Sequence, residues 1–263
     1  MTPASSGSAV TLAPAGSRFR HVLRLADTSL VLGQRLGEWV GHAPALEEDL
    51  ALANIALDLI GQARLLLTYA GELEGRGRDE DALAFLRDAP EFLNASLAEQ
   101  PNGDFGQSIV RQFLLDAWQR EMYEALSRST DARLAEIAAK ALKETRYHLR
   151  FSAGWLVRLG DGTAQSHARV QKALDALWRF TDELFVPDAL DEQMAACGIG
   201  PDLAALRPRW ERHIEAVLEE ATLERPPAQR YPWHGKRGVH TEHLGHMLAQ
   251  MQHLPRTFPG ATW

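Results

Sequence analysis

The sequence predicts an all-α protein built as a helical bundle. Most of the chain falls into segments of helix length that end at glycine or proline. Four of these segments exceed about 20 residues, and a rise of about 1.5 Å per residue makes them rods of roughly 30–40 Å. No stretch shows the alternation of apolar and polar residues that indicates a strand. Long helices joined by short connections pack side by side as a bundle.

The first two predicted helices are separated by strong stop signals. The first covers residues 20–40 and ends at Gly41, and Pro44 cannot continue it because proline lacks a backbone N–H. The second covers residues 46–73 and ends in the stretch Gly75-Arg76-Gly77, since glycine is the residue that most often terminates a helix.

A long connection joins the second and third predicted helices. It covers residues 78–103 and contains the turn signals Pro90, Pro101 and Asn102-Gly103. Its length is sufficient to cross the end of a bundle. The remaining helices are predicted at residues 105–127, 132–159, 164–185, 203–223 and 241–253.

Length and composition predict a single globular domain with a short tail. The chain has 263 residues, of which 45% are apolar, enough to bury a sizeable core. We predict a flexible N-terminal tail over residues 1–18 and one helical domain over residues 19–263. The tail lacks the basic start and the apolar stretch that together make a signal peptide.

Charge, hydropathy and cysteine content argue against several classes of protein. The net charge of -7 argues against a nucleic-acid-binding protein, which needs a basic face to neutralise phosphates. No apolar run approaches the roughly 20 residues that span a bilayer, so no membrane association is expected. The single cysteine, Cys197, cannot form an internal disulfide, and we interpret it as a structural thiol of a cytoplasmic protein.

Polar residues interrupt the most apolar helix at helical spacing. Within residues 50–60 only Asn54 and Asp58 are polar, and residues four apart share one face of a helix. The first helix carries a similar stripe of Asp27, Gln34 and Glu38. A carboxylate buried in such a helix is costly unless it is hydrogen-bonded, paired or bound to metal.

Each of the four long helices therefore offers one candidate inward carboxylate: Glu38, Asp58, Asp116 and Glu144. A di-iron bundle uses four such carboxylates and two histidines, each three residues after a glutamate. Here Gly61 follows Asp58 at that spacing and Tyr147 follows Glu144. His148 is one residue out of register, which turns it about 100° away on a helix. The pattern predicts a degenerate metal site without bound metal.

An ordinary explanation competes with this hypothesis, because carboxylates on helices are usually solvated or paired. Four arginines are close enough in sequence to replace a lost metal as buried partners of the carboxylates: Arg35, Arg64, Arg111 and Arg146. A carboxylate–tyrosine network is the other natural replacement.

Two further features of the sequence, a pair of histidines and two basic clusters, each allow two interpretations. His240 and His243 are three residues apart, as metal ligands can be, but a helix capped by Thr241 with locally bonded histidines explains them better. The basic clusters Arg76–Arg78 and Lys236-Arg237 are expected on a solvated surface, and contact with an acidic partner or a phosphate is the alternative.

Several motifs are spread over roughly residues 20–263. They are LGEWVGHAP at 36–44, LALANI at 50–55, LDLIGQAR at 57–64, EQPNG at 99–103, KETRYHLRFS at 143–152, LWRFT at 177–181 and HTEHLG at 240–245. Together these motifs resemble the PaaC family, the non-catalytic, structural subunit of the phenylacetyl-CoA 1,2-epoxidase complex.

The resemblance implies a ferritin-like bundle with additional C-terminal helices. It implies a role in aerobic phenylacetate degradation, as partner of a homologous di-iron catalytic subunit alongside further small and reductase subunits. No cofactor is expected in this subunit, since the di-iron centre belongs to the partner. A homodimer of the isolated chain is also compatible with the resemblance. The alternative hypothesis is a catalytically active di-iron carboxylate monooxygenase, which would need nitrogen ligands such as His42 or His148.

The resemblance also implies contact with phenylacetyl-CoA through two segments of this chain. The corresponding residues are Glu91, Phe92, Leu93, Asn94, Glu192, Gln193 and Met194.

Overall fold

The computed structural model describes residues 13–229 and 234–261. Within these ranges the regular structure is helical, apart from an isolated β-bridge between His234 and Val239, so the all-α prediction is confirmed. Residues 1–12 of the predicted flexible tail lie outside the described ranges. In chain order the α-helices are α1 Ala15–Gly37, α2 Leu46–Glu74, α3 Glu80–Phe85, α4 Phe105–Leu126, α5 Ala132–Gly160, α6 Ala164–Trp178, α7 Ala189–Ala196, α8 Leu203–Glu220, α9 Glu242–Met251 and α10 His253–Thr257.

Four long helices form a ferritin-like bundle at the centre of the fold. α1 packs along α2, α4 packs along α5, and α2 meets α5. α6 and α8 cover the outer side of the α4–α5 pair. The side chains of Leu32, Ile55, Phe113 and Leu156 are fully buried in the resulting core. The C-terminal helices are the additions that the sequence predicts.

Local signals set most helix ends where the sequence predicts them. α4 begins after Asp104, whose carboxylate accepts a hydrogen bond from the backbone N–H of Gln107. α5 begins in the same way after Asp131. α2 ends at Gly75, which adopts the left-handed conformation (φ 68°) that glycine tolerates best.

The predicted boundaries are wrong at two helices. α1 begins at Ala15, so residues 15–18 belong to the helix instead of the tail, and Ala13 before it is already buried. α6 ends at Trp178 instead of residue 185, because the hydroxyl of Thr181 donates to the Trp178 carbonyl (2.8 Å) and a 3-10 turn follows. The short helices α3, α7 and α10 were not predicted.

The connection between α2 and α4 runs along α1 instead of crossing the end of the bundle. The backbone N–H of Leu93 donates to Asp27 (2.8 Å), and the guanidinium of Arg35 donates to the Glu99 carbonyl (2.7 Å). These two contacts are eight residues apart on α1, which is about 12 Å of helix. A buried loop needs such partners for its backbone groups, and the polar side chains of α1 supply them.

A buried ion pair anchors the start of this connection. Arg87 donates to both carboxylate oxygens of Asp27, at 3.0 Å to one of them, and neither side chain is more than 1% exposed. Arg87 also donates to the Glu91 carbonyl (2.9 Å). A fully satisfied pair of this kind makes the connection a rigid part of the bundle.

The C-terminal segment is fastened to the same connection through the buried carboxylate of Glu99. This carboxylate accepts hydrogen bonds from His240 Nδ1 (2.8 Å), from the Thr241 backbone (2.6 Å) and from Asn94 (2.8 Å). Burial opposes the charged imidazolium, but the hydrogen bond and charge of Glu99 outweigh it and raise the pKa of His240. The predicted local hydrogen bonding of these residues is therefore wrong, because the side chains of both His240 and Thr241 bond Glu99, which is distant in sequence.

Among the described helices, α2 is long and apolar enough to span a membrane by length and composition. This differs from the sequence expectation that no segment approaches that limit. The most apolar window of α2 is 44% buried inside the protein. Packing in the core therefore accounts for only part of its apolar character, and Leu46, Leu50 and Leu57 are exposed.

Candidate functional site

A hydrogen-bonded carboxyl group lies in the interior of the bundle, on α4. Asp116 is fully buried and accepts one hydrogen bond from Ser152 Oγ on α5 (2.7 Å) and one from Gln112 Nε2 (2.7 Å). Burial raises the pKa of Asp116 from 3.8 to about 6, although the charge of His148 and the two hydrogen bonds oppose this shift. The expectation that Asp116 points inward therefore agrees with the structure.

A second contact joins α5 to α2 beside it. His148 is fully buried, and its Nε2 lies 3.0 Å from Asp58 Oδ2, while the Asp58 side chain is 41% exposed. Tyr147 points away from the interior and is 44% exposed. The expected roles of these neighbours are therefore reversed: His148, placed out of register by sequence spacing, faces inward, and Tyr147 does not occupy a former ligand position.

A polar chain links all four bundle helices. Ser29 on α1 lies 3.1 Å from the Tyr123 hydroxyl of α4, which donates to Gln62 on α2 (3.2 Å). Gln62 donates in turn to Glu144 on α5 (3.0 Å). Burial raises the pKa of Tyr123 to about 12, so this hydroxyl stays protonated and able to donate. This series of hydrogen bonds connects the four helices through uncharged donors, whereas a di-iron protein connects its helices through metal ligands.

The four expected carboxylates do not converge on one point. Glu38 lies at the exposed C-terminal end of α1 and pairs with Arg35 (2.7 Å). Asp58 and Glu144 lie at the edge of the interior, with side chains 41% and 23% exposed. Gly61 is half-buried and has no neighbouring atom within 4 Å of where a side chain would begin. The expectation of four inward carboxylates is wrong for Glu38 and only partly met by Asp58 and Glu144.

The donor set does not fit a di-iron centre. Within residues 13–229 and 234–261, no three or more His, Cys, Asp or Glu side chains are grouped so that they could hold a metal ion. Asp116 and Asp58 instead meet a serine, a glutamine and a histidine. A di-iron site needs four carboxylates and two imidazoles around a shared pair of ions.

Four arginines were expected to neutralise these carboxylates: Arg35, Arg64, Arg111 and Arg146. Among the described residues only Arg35 does so, by its pair with Glu38. Arg111 is fully buried but donates to the Gln100 carbonyl (2.6 Å), and burial, with the nearby charge of Arg35, lowers its pKa to about 9. Arg64 and Arg146 are exposed on the surface. The expected carboxylate–arginine network is therefore absent around Asp116 among the described residues, and buried pairs of this type occur instead at Asp27–Arg87 and Asp191–Arg24.

The two segments expected near a substrate both pack against α1. Leu93 is bonded to Asp27, as described above, and Asp191, just before the second segment, pairs with Arg24 (2.9 Å). Phe92, Asn94 and Met194 are fully buried, whereas Glu91 and Glu192 are exposed.

Three residues of these segments line two surface clefts at the N-terminal end of α1. Glu91 and Leu93 line a cleft of about 640 Å³, and Gln193 lines a cleft of about 610 Å³. Both clefts include Arg20 and Arg237. The exposed parts of the two segments are thus close to a common basic surface.

Sequence reasoning missed the two polar sites that hold the connection in place. Asp27 stood out as a polar residue of α1, but its partner Arg87 is 60 residues away along the chain. Glu99 and His240 are 141 residues apart. The signal available in the sequence is the presence of charged residues inside otherwise apolar stretches, which indicates burial but does not identify the partner.

Comparison with known proteins places the chain in a family. Residues 8–263 match the family described as phenylacetic acid catabolic protein. The chain is also 56% identical over 243 residues to a subunit of the 1,2-phenylacetyl-CoA epoxidase of Escherichia coli (strain K12), a match that covers 92% of the chain and 98% of that relative. The chain therefore belongs to the family of phenylacetic acid catabolic proteins, as its sequence motifs predict.

Proposed function

We propose that this chain is the structural, non-catalytic subunit of a phenylacetyl-CoA epoxidase, and that it pairs with and stabilises a homologous di-iron catalytic subunit. One observation carries the proposal: the central helix α2 presents an apolar seam to solvent. The relationship to a protein named as an epoxidase subunit supports the existence of partner subunits. The hydrogen-bonded interior around Asp116, whose donors do not fit a di-iron centre, supports a non-catalytic role.

The seam follows the heptad spacing of helices that pack on a partner. Its residues recur at alternating intervals of four and three: Leu46, Leu50, Ala53, Leu57 and Ile60. Leu46 is 69% exposed, Leu57 65% and Leu50 55%. Soluble monomers rarely place so many large apolar side chains in one exposed row, and such rows mark interfaces.

The neighbouring helix α5 carries a further exposed aromatic side chain, Tyr147. Glu144 and His148 on either side of it in sequence contact α2 through Gln62 and Asp58. The ring of Tyr147 is 44% exposed, and exposed aromatic side chains are enriched at interfaces. The seam and Tyr147 together form one side of an obligate interface, for which we expect a buried area near or above about 2,000 Å².

Pairing through this surface accounts for stabilisation of the catalytic partner. A partner that binds only the folded form raises the folded-state stability of the protein it binds. Full burial of one exposed leucine contributes about 1.5–3 kcal/mol, so a row of four supplies a substantial part of the association free energy. We place the di-iron cofactor in the partner and assign none to this chain.

Interface substitutions test the proposal. The chain is co-expressed with its catalytic homologue and purified through a tag on that homologue. Leu57→Asp places a charge in the seam and should abolish co-purification. Leu86→Asp is the matched control, since Leu86 is 58% exposed but lies outside the seam. Undiminished co-purification of the Leu57 variant, or failure of the wild-type chain to co-purify, contradicts the proposal.

The remaining parts of the assignment follow from this pairing. Further small and reductase subunits belong to the same complex, and the thioester substrate approaches the segments at Glu91–Asn94 and Glu192–Met194. Their exposed residues at the two basic clefts support that contact. The lone, half-buried thiol of Cys197 supports a reducing, cytoplasmic location.

A further inference from the structure

A small cavity lies between α1, α4 and the start of α8. Its volume is about 50 Å³, and the described residues that line it are buried, with the exceptions of Pro201 and Lys236. Apolar side chains such as Leu25, Met122 and Leu203 form most of its walls. Four charged side chains also line it: Arg24, Glu183, Asp191 and Lys236. The cavity therefore combines apolar walls with a few polar groups.

The four charged side chains of the cavity balance one another. Arg24 donates to Asp191 at 2.9 Å, and Lys236 Nζ donates to the same carboxylate at 2.6 Å. The Glu183 carboxylate accepts from the backbone N–H groups of Ser96 (2.9 Å) and Lys236 (3.2 Å). Two positive and two negative groups leave the walls without net charge, so the walls favour neither a cation nor an anion.

His21 lines the same cavity and differs from these groups because it has no partner. It is 5% exposed, and neither of its ring nitrogens makes a hydrogen bond within residues 13–229 and 234–261. Burial lowers its pKa from 6.5 to about 4, although the charge of Asp191 opposes this shift, so the imidazole is neutral near pH 7. The indole N–H of Trp118, which also lines the cavity, has no partner in these ranges either. Buried polar groups of native proteins are nearly always bonded to protein or to ordered water, so these three atoms indicate a ligand.

We propose that this cavity is a binding site for ordered water, held by the two ring nitrogens of His21. A neutral imidazole has one nitrogen that donates and one that accepts, so its ligand must both accept and donate hydrogen bonds. An inorganic anion only accepts hydrogen bonds, and an ammonium ion only donates them. Water does both, and it adds no charge to the balanced walls.

The size of the cavity and a third polar group fit this ligand. A molecule of liquid water occupies about 30 Å³, so a cavity of about 50 Å³ holds one or two of them. A buried water makes about three hydrogen bonds. The Glu183 carboxylate uses two of its roughly four acceptor positions for backbone groups, so it can supply one bond beyond those of His21. Water in the cavity joins α1 to the 3-10 turn that carries Glu183.

A crystal structure of the full chain, at a resolution that shows ordered water, tests the site. We expect density for water in the cavity, with one molecule within about 3.2 Å of a ring nitrogen of His21. His240 is the internal control, since its side chain is also 5% exposed but its two nitrogens lie 2.8 Å from Glu99 and from the Phe92 carbonyl. No water should lie within that distance of either His240 nitrogen. A cavity without density, or density for a larger molecule or an ion at His21, overturns the proposal.

Two variants separate His21 from the other groups of the cavity. His21→Phe keeps a ring of similar size but has neither donor nor acceptor, and it should lose the water. His42→Phe, at an exposed position outside the cavity, should keep it. Water that persists in His21→Phe overturns the assignment to His21. In solution, nuclear Overhauser effects from water to the ring protons of His21 should appear in the wild-type chain, and their absence contradicts the site whether or not the variant folds.

Discussion

Asp116→Asn tests whether the carboxyl group in the bundle interior belongs to a neutral hydrogen-bonded core. Asp116 is fully buried and accepts from Ser152 and Gln112, both at 2.7 Å. An asparagine has the same shape, and its oxygen can accept from Ser152. Its amide can donate to Gln112 Oε1, which has no hydrogen-bond partner, once the Gln112 amide has turned over.

The expected gain follows from the pKa of Asp116. Burial raises this pKa from 3.8 to about 6, roughly two units, and each unit corresponds to about 1.36 kcal/mol. Because the folded state binds the proton more tightly, the protonated carboxyl stabilises the fold below about pH 4, and this stability is lost as the pH rises to about 6. Near pH 7 the ionised wild type therefore carries a penalty of about 3 kcal/mol, which the neutral asparagine lacks.

Urea unfolding followed by circular dichroism measures this difference. We expect similar free energies of unfolding for wild type and variant near pH 4, and a variant more stable by about 3 kcal/mol near pH 7. Asp81→Asn, at an exposed position of α3, is the control and should change neither value. A variant destabilised by about 1 kcal/mol or more at both pH values would refute the reasoning, because Asp116 would then be a charged partner of His148.

Further predictions concern the connection along α1. Arg87→Met leaves Asp27 buried and unpaired and should lower the free energy of unfolding by about 3–5 kcal/mol, most of which a second change, Asp27→Asn, should restore; a loss under about 1 kcal/mol contradicts this. The raised pKa of His240 means that its pairing with Glu99 stabilises the fold fully below about pH 6.5 and is lost as the pH rises through the folded-state pKa. As the pH rises, the exchange rate of the amides in Glu242–Met251 should therefore increase by more than base catalysis alone would produce. Glu99→Gln should remove this excess, and its persistence in that variant would contradict the pairing.

The helices were predictable because their ends are set by neighbouring residues. Asp104 and Asp131 cap α4 and α5 from positions visible in the sequence, and Gly75 ends α2 through a backbone angle that few other residues adopt. The end of α6 was missed because it depends on the Thr181 hydroxyl, which favours a turn only in the context of the helix it follows.

The orientation of polar side chains around each helix was much less predictable. Tyr147 and His148 are adjacent, and a difference of one residue turns a side chain by about 100°, so a small error in the assumed facing of α5 exchanges the buried residue for the exposed one. Spacing placed Glu38 on the same stripe as Asp27, but α1 ends just before Glu38 and leaves it at the surface. Helical spacing in a sequence shows which residues share a helix face. It does not show how far the neighbouring helix extends.

Partners distant in the chain could not be predicted from local patterns at all. Asp27 needs a buried cation as its partner, and no local pattern in the sequence distinguishes one arginine from the others for this role. The choice of Arg87 depends on the path of the connection along α1, which only the assembled fold defines. The hydrogen-bond partners of the interior carboxyl of Asp116 are likewise a serine and a glutamine, residues that carry no charge signal in the sequence.

Metal analysis of the separated subunits tests the non-catalytic assignment most directly. The complex is purified under conditions that keep iron bound, this chain is separated from its catalytic homologue, and the iron content of each is measured. We expect the iron of a di-iron centre in the homologue and essentially none in this chain. A stoichiometric pair of iron ions bound between α1, α2, α4 and α5 of this chain would contradict the assignment.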